Sequence, residues 1–179
     1  MKIKLCTLTC IVFFTTLLIS CNDDDDSITE LKATAVISSK NDSVLSGNVT
    51  FSEVDGQVTM IANVNYNKEG NYAIHIHEKG DCSASDGSSA GGHWNPTNTT
   101  HGEWGSSSFH MGDIGNIVVT SSGNGTITRK TDLWCIGCND EKKNIIGKAI
   151  IVHEGPDDFS SQPSGAAGAR IGCGEIIQD

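Results

Sequence analysis

The sequence predicts an all-β domain, an eight-stranded antiparallel sandwich or barrel. Short segments of alternating apolar and polar residues recur along the chain, turn-forming Gly, Asn and Asp residues separate them, and no stretch has a convincing helical period. Residues 57–66 alternate most clearly, and the Asp55-Gly56 pair before them is a strong hairpin turn. Hydrophobic residues make up 37% of the 179, and 20 residues are Gly, which suits one turn-rich β domain.

Eight strands are expected, in chain order, at residues 31–39, 44–53, 57–66, 72–78, 114–120, 124–130, 145–153 and 169–177. In the second strand, Val49 and Phe51 share the predicted inner face, and Thr50 points the other way because neighbouring strand residues alternate. Two long irregular segments interrupt the pattern, one from the fourth strand to about Gly112 and one over 154–168. Long ordered loops in a compact domain usually carry function.

The N-terminus has the features of an exported lipoprotein. Lys2 and Lys4 precede an apolar run that ends in Leu18-Ile19-Ser20-Cys21, and this run is too short for a confident membrane span. The last four residues resemble a bacterial lipobox, in which Cys21 is lipidated, although an ordinary secretory signal with an incidental Cys is the alternative. Residues 1–20 are therefore predicted to be a signal peptide, 21–30 an acidic disordered tether and 31–179 the folded domain.

The acidic tract NDDDDS that follows Cys21 has two interpretations. It is either a solvated spacer or the kind of tract that marks surface-exported lipoproteins in some Gram-negative bacteria. The protein is therefore expected at the bacterial cell envelope, with lipid as its only contact with the outer membrane, on the periplasmic side or exposed at the surface.

The charge excludes one class of partner. Loss of residues 1–20 leaves 10 basic residues against 22 acidic ones, a net charge of −12. Nucleic acid is not expected to bind, because phosphate recognition needs a basic face.

Five of the six histidines lie between His75 and Asp113, and the sixth is His153. Neutral imidazole is the commonest protein ligand for transition metals. His75 and His77 belong to the strand-like run YAIHIH, so both rings face one side of the strand and can reach one metal. Asp113, three residues after His110, adds a possible oxygen ligand.

The number of ligands fits two metals that share one histidine. A closed zinc site needs four ligands, and a tetragonal copper(II) site needs about four. Six histidines and Asp113 supply seven positions. The set is complete if one deprotonated imidazole bridges both metals.

The order and spacing of these residues resemble the copper/zinc superoxide dismutase family over roughly residues 31–177. The matching segments are HIHE at 75–78, GGHWNP at 91–96, HG at 101–102, HMGDIGN at 110–116, GKAIIVHEGPDD at 147–158 and GARIGCG at 168–174. The resemblance implies a Greek-key barrel with two long functional loops and both copper and zinc as cofactors.

The resemblance also implies a role for each ligand. Copper would bind His75, His77, His93 and His153, and zinc would bind His93, His101, His110 and Asp113. His93 would be the bridge and would exchange a proton during the reaction. Arg170 would hold the anionic substrate beside copper, and Asp157 would link a copper histidine to a zinc histidine, with Asp158 as the neighbouring alternative.

Seven cysteines divide into groups. Cys6 and Cys10 leave with the signal and Cys21 carries lipid, so four remain, an even number that suggests two disulfides in an exported domain. The resemblance implies a Cys82–Cys173 disulfide.

Cys135 and Cys138, in LWCIGC, fall outside the general family pattern. Three interpretations remain open for them. They form a local disulfide, they form a thioredoxin-like redox pair, which no surrounding βαβ pattern supports, or they load copper(I), which soft thiolates bind well.

The resemblance implies an oxidoreductase that dismutates superoxide to dioxygen and hydrogen peroxide. The family contains monomers and dimers, so a homodimer is one expectation. The alternative from another class is a non-catalytic copper-binding or buffering lipoprotein on the same scaffold. A barrel with a purely structural zinc is a third hypothesis, but it would not need His75, His77 and His153.

Overall fold

The computed structural model describes residues 29–179, so the predicted signal peptide, Cys21 and nearly all of the tether lie outside the described residues. Residues 29–179 form nine strands: β1 Leu31–Ser39, β2 Ser46–Val54, β3 Gln57–Asn65, β4 Gly70–His77, β5 Gly115–Val119, β6 Asn124–Thr131, β7 Ala149–His153, β8 Arg170–Glu175 and β9 Ile177–Gln178. Within this part of the chain, the only helical element is a 3₁₀ turn at Ser88–Ala90. It contains no helix long and apolar enough to cross a membrane.

The first eight strands close into an antiparallel barrel. Their order is β1-β2-β3-β6-β5-β4-β7-β8, and β8 pairs again with β1 through Ser38 and Cys173. Consecutive strands β3 and β4 are separated by β6 and β5, which is a Greek-key connection. The predicted all-β barrel is confirmed, and the short β9 pairs with β1 on the same edge as β8.

The interior follows the alternation of the sequence. Val49 and Phe51 on β2 are buried while Thr50 is exposed, as expected from the period of two. Trp134, to which the sequence assigned no role, is fully buried, and its ring contacts Phe51 and Trp104 edge to face. Its indole N–H donates to the carbonyl of Met111 at 2.9 Å. An aromatic side chain of the core therefore supports the segment that carries His110 and Asp113.

The seventh strand begins later than the sequence predicts. The run 145–148 forms a turn, in which Gly147 adopts a φ of 75° and the Ile145 N–H donates to the Cys135 carbonyl at 3.1 Å. Ile145 is nonetheless fully buried. A buried turn and a buried strand have the same apolar composition, so periodicity alone did not separate them.

Strands β4 and β7 are buried on both faces. Ile74 and Ile76 on β4, and Ile150 and Val152 on β7, belong to the core. The residues that alternate with them, His75 among them, face outwards and are buried too. Two long loops cover this outer side, loop A (78–114) and loop C (154–169), while loop B (132–148) contains the CIGC sequence. The covered outer side of β4 and β7 is where the histidines lie.

Two disulfides fasten the loops. Cys82–Cys173 joins loop A to β8, and Cys135–Cys138 closes part of loop B on itself. Of the three interpretations of the second pair, the structure has the local disulfide. The N–H of Ile136, between the two cysteines, donates to Glu53 at 2.6 Å, which ties loop B to β2.

Replacement of both Cys82 and Cys173 with Ser is expected to lower the free energy of unfolding by about 4–5 kcal/mol, because this bond closes a long loop in the unfolded chain. The two cysteines are 91 residues apart. The double variant Cys135→Ser/Cys138→Ser is the control, since those residues are 3 apart and the expected loss is only roughly 2 kcal/mol. Urea unfolding of the metal-free proteins measures both, and equal losses would contradict the chain-entropy explanation.

Candidate metal centre

Four histidines converge above β4 and β7. His75 and His77 project from the same side of β4, and His153 ends the neighbouring β7, where a register shift after Val152 interrupts its pairing with β8. Loop A adds His93, which forms an isolated β-bridge with His77. One ring nitrogen from each of the four lies within 4.8 Å of the others, and all four residues are buried.

A second buried cluster lies beside the first and shares His93 with it. Its other members are His101, His110 and Asp113, and the four ligand atoms again lie within 4.8 Å of one another. Asp113 is 1% exposed, and its carboxylate oxygens lie 2.8 Å from His93 Nδ1, 3.0 Å from His101 Nδ1 and 3.2 Å from His110 Nδ1. The two ring nitrogens of His93 therefore serve different clusters, with Nδ1 turned to Asp113.

Hydrogen bonds orient four of the rings. Nδ1 of His77 donates to the Gly91 carbonyl at 2.9 Å, and Nδ1 of His153 donates to the Gly168 carbonyl at 3.2 Å. A carbonyl only accepts, so Nδ1 carries the proton and Nε2 keeps a free lone pair. His75 and His101 donate from Nε2 to Asp157, which leaves Nδ1 free in both. In each ring the free nitrogen is the one that a metal could bind.

The fit of these residues to metal ions can be judged from the buried ring nitrogens that have no hydrogen-bond partner. Every histidine has one: His75 Nδ1, His77 Nε2, His93 Nε2, His101 Nδ1, His110 Nδ1 and His153 Nε2. For His101 and His110 the Asp113 oxygens are near but not aligned as acceptors. Burial of a polar atom without a partner is unfavourable by about 1–3 kcal/mol in proteins. Six such atoms aimed at two points fit two bound metal ions.

The donor sets differ in kind. The first cluster offers four imidazole nitrogens, which suits copper, and the second offers three nitrogens and one carboxylate oxygen, which suits a closed zinc site. Burial lowers the pKa of His93 to about 4 and that of His153 to about 3, and it lowers the pKa of His77 well below its usual value. These three rings are therefore neutral at pH 7, the form that binds metal.

The second cluster carries opposite charges. Burial disfavours a charged His101, but the adjacent carboxylates of Asp113 and Asp157 outweigh it and raise the pKa of His101 to about 9, so a metal that binds Nδ1 would displace a proton. Burial likewise disfavours the charged form of both carboxylates, but hydrogen bonds from the histidines prevail and lower the pKa of Asp113 and of Asp157. Both acids are ionised and can accept hydrogen bonds from the rings.

Asp157 lies between the two clusters. Its Oδ2 accepts from His75 at 2.8 Å and its Oδ1 accepts from His101 at 2.9 Å. Asp158 is exposed and accepts from the N–H groups of Ser160 and Ser161, so it orders loop C instead. Gly165 packs so closely that a Cβ there would overlap Asp157 Oδ1. Close packing within loop C thus depends on the absence of a side chain at this position.

Arg170 lies at the mouth of the first cluster. A cavity of about 380 Å³ is lined by His77, His93, His153 and Arg170, together with His110 of the second cluster, Asn95 and Ser164. Among the described residues, Arg170 is the only Lys or Arg that lines the cavity, and the Cys135–Cys138 pair does not line it. The guanidinium donates to the carbonyls of Gly87 and Gly91, both at 2.7 Å. An anion that enters the cavity would meet this positive charge.

Two contributors to the site escaped the sequence analysis. The Gly91 carbonyl accepts from both His77 and Arg170, so one backbone group positions a ring and the guanidinium. Asn116 on β5 pairs with the backbone of Asp157, donating to its carbonyl at 3.0 Å and accepting from its N–H at 2.7 Å. No local pattern marks either contact, because both join segments that are far apart in sequence.

Comparisons with known proteins agree with this geometry. The sequence profile of the copper/zinc superoxide dismutase family matches residues 45–176. The extracellular copper/zinc superoxide dismutase of Caenorhabditis elegans is 35% identical over 133 residues, 71% of this chain, and the match spans 56% of the worm protein. The copper/zinc superoxide dismutase of Schizosaccharomyces pombe is 36% identical over 156 residues, 82% of this chain and 97% of the yeast protein.

The fold has a solved relative as well. The crystal structure of the clock protein EA4 superposes with a TM-score of 0.72 at 35% identity, covering 82% of this chain and 93% of that one. The closed barrel, the two histidine clusters and the match over 45–176 together lead to one conclusion: this chain belongs to the copper/zinc superoxide dismutase family.

Proposed function

We propose that this protein catalyses the dismutation of superoxide, in which two superoxide anions and two protons give dioxygen and hydrogen peroxide. The observation that carries the proposal is the pair of buried clusters that share His93, with three of the four histidines of the first cluster lining an open cavity beside a positive charge. A structural metal alone would not need an open site. The relatives named as superoxide dismutases support the same reaction.

Copper is assigned to His75, His77, His93 and His153, and zinc to His93, His101, His110 and Asp113. Copper would supply one-electron redox chemistry, and zinc, which has none, would order loop A and hold the shared ring. The assignment rests on donor type, since the first set is all nitrogen and the second contains a carboxylate. It also rests on access, because three members of the first set line the cavity, His77, His93 and His153, against only His93 and His110 of the second.

Arg170 and His93 are the proposed catalytic residues. Arg170 would bind the superoxide anion, and its two carbonyl contacts keep the guanidinium beside the cavity. His93 would hold or release a proton at Nε2, the nitrogen on the side of the first cluster. Asp157 fixes the rings of His75 and His101 from outside, so that neither ring has to reorient during the reaction.

The non-catalytic alternative, a copper-binding or buffering protein on the same scaffold, would be favoured by free thiols at the CxxC pair, because thiolates bind copper(I) well. Cys135 and Cys138 are bonded to each other, so neither offers a thiolate in this structure. The cavity and Arg170 also have no purpose in a protein that only stores metal. The alternative remains as an outcome of the activity test.

We also propose that residues 1–20 are a lipoprotein signal peptide and 21–30 a tether, and that lipid on Cys21 anchors the domain of residues 31–179 to the bacterial envelope. The lysines before the apolar run and the small residue before Cys21 support this assignment. Two disulfides in the domain agree with an oxidising compartment.

Substitution of His153 with Ala in the protein starting after Asp26 should abolish dismutase activity and lower copper content, because the first cluster loses one of four donors. The assay is superoxide decay alongside metal analysis, with zinc-only protein as the control. One copper and one zinc per wild-type chain with high activity is the expected result. Tight copper binding with activity no better than free copper ions would favour the copper-buffering alternative.

The Arg170→Ala variant should lower kcat/KM for superoxide roughly tenfold or more, because the net charge otherwise repels an anion from the cavity. Arg170→Lys should lose less, since it keeps the charge but not the planar group that contacts two carbonyls. Lys79→Ala is the matched control, an exposed cation that does not line the cavity. An equal loss of kcat/KM in Lys79→Ala would show that the position of the Arg170 charge beside the cavity has no effect of its own.

The Cys21→Ser variant should shift the protein from the membrane fraction to the soluble fraction, because only the thiol can take the lipid. Metabolic labelling with a radioactive fatty acid and cell fractionation measure this. Cys10→Ser, inside the apolar run, is the control and should still be labelled. Continued labelling of Cys21→Ser would disprove the anchor.

A further inference from the structure

Gln162 of loop C bonds to the backbone of His101 but is not a candidate metal ligand itself. Its Oε1 accepts from the His101 N–H at 2.9 Å, and its Nε2 donates to the His101 carbonyl at 2.9 Å. Both backbone groups of one histidine are thus paired with a single amide side chain. No other residue type has a donor and an acceptor in this side-by-side arrangement except Asn, which is one methylene shorter.

His101 lies where the backbone has little other support. Residues 97–100 and 105–107 of loop A are exposed, and loop A has no strand between β4 and β5. The neighbouring Gly102 N–H donates to Asp113 at 3.2 Å, and Thr100 bonds to Ser108 through their side chains. Among the described residues, the backbone of His101 itself is paired with Gln162 alone.

The ring of the same histidine is held from the same loop. Asp157 accepts from His101 Nε2 at 2.9 Å, and Asp157 is in turn fastened to β5 by the reciprocal pair with Asn116. Loop C therefore grips His101 at two points, the ring through Asp157 and the backbone through Gln162. Two points of attachment fix both the position of the Cα atom and the direction of Nδ1.

We propose that Gln162 is a positioning residue for zinc, which sets the affinity of the second cluster by holding the backbone of His101. This inference rests on the proposed assignment of zinc to His93, His101, His110 and Asp113. Partners outside the ligand shell typically change metal affinity 10–100-fold. Gln162 is exposed, so its replacement opens no cavity in the core and leaves the barrel intact.

The test compares Gln162→Ala and Gln162→Glu with wild type by zinc competition against a chelator and by the visible spectrum of cobalt(II) in the zinc site. Both variants should bind zinc at least about tenfold more weakly. Gln162→Glu has nearly the same shape, but a carboxylate cannot donate to the His101 carbonyl, so a role in packing alone would preserve its affinity. The cobalt(II) bands should shift in both, because His101 Nδ1 is no longer held in one direction.

Two controls separate this role from general stability. Gln57→Ala removes an exposed amide at the start of β3 and should leave zinc affinity within about twofold of wild type. Copper binding to the first cluster and the melting temperature of the metal-free protein should also stay near wild type in all variants. Zinc affinity, copper affinity and melting temperature that fall together would overturn the proposal.

The remaining outcomes are also decisive. Wild-type zinc affinity in Gln162→Ala would overturn the role of the two hydrogen bonds. Wild-type affinity in Gln162→Glu, together with weakened binding in Gln162→Ala, would also overturn it. Either result would leave the proposed function intact. If the wild-type chain binds no zinc at this cluster, as judged by an unchanged affinity in Asp113→Ala, the zinc assignment is wrong and this inference is wrong with it.

Discussion

The structure depends on one constraint, the burial of six imidazole rings that each keep one nitrogen without a protein partner. Without an ion these nitrogens are buried polar atoms, which is unfavourable, and with an ion they become ligands. Loop A has no regular structure apart from one 3₁₀ turn, so ligand bonds would supply the order that hydrogen bonds of a sheet supply elsewhere. The ordering of loop A and the binding of metal are therefore coupled.

The other ring nitrogen shows how the surrounding chain orients these histidines. Backbone carbonyls hold His77 and His153, and Asp157 holds His75 and His101, so four different rings are oriented by groups outside the ligand set. Loop C supplies two of these groups, Gly168 and Asp157. Loop C contains no histidine and directly follows only His153. Through these two groups it nevertheless orients rings in both clusters.

The charge of the protein opposes its proposed substrate. A chain with 10 more acidic than basic residues repels an anion at long range, and loop C carries only acidic charges before Arg170. In the described part of the chain, Arg170 is the sole Lys or Arg that lines the cavity. Capture of superoxide must then rely on the local field of one guanidinium and the metal.

The sequence by itself determined the all-β class, most strand positions and the set of histidines, because strand alternation and residue type are local properties. It did not determine where β7 begins, since a buried turn at Ile145 and a buried strand have the same composition. Only the tertiary structure decided that Asp157 and not Asp158 faces the clusters, that Cys135 bonds to Cys138, and that Gln162 pairs with His101. Apart from the short Cys135–Cys138 link, these contacts join segments tens of residues apart, and their geometry exists only once the barrel has brought loops A and C together.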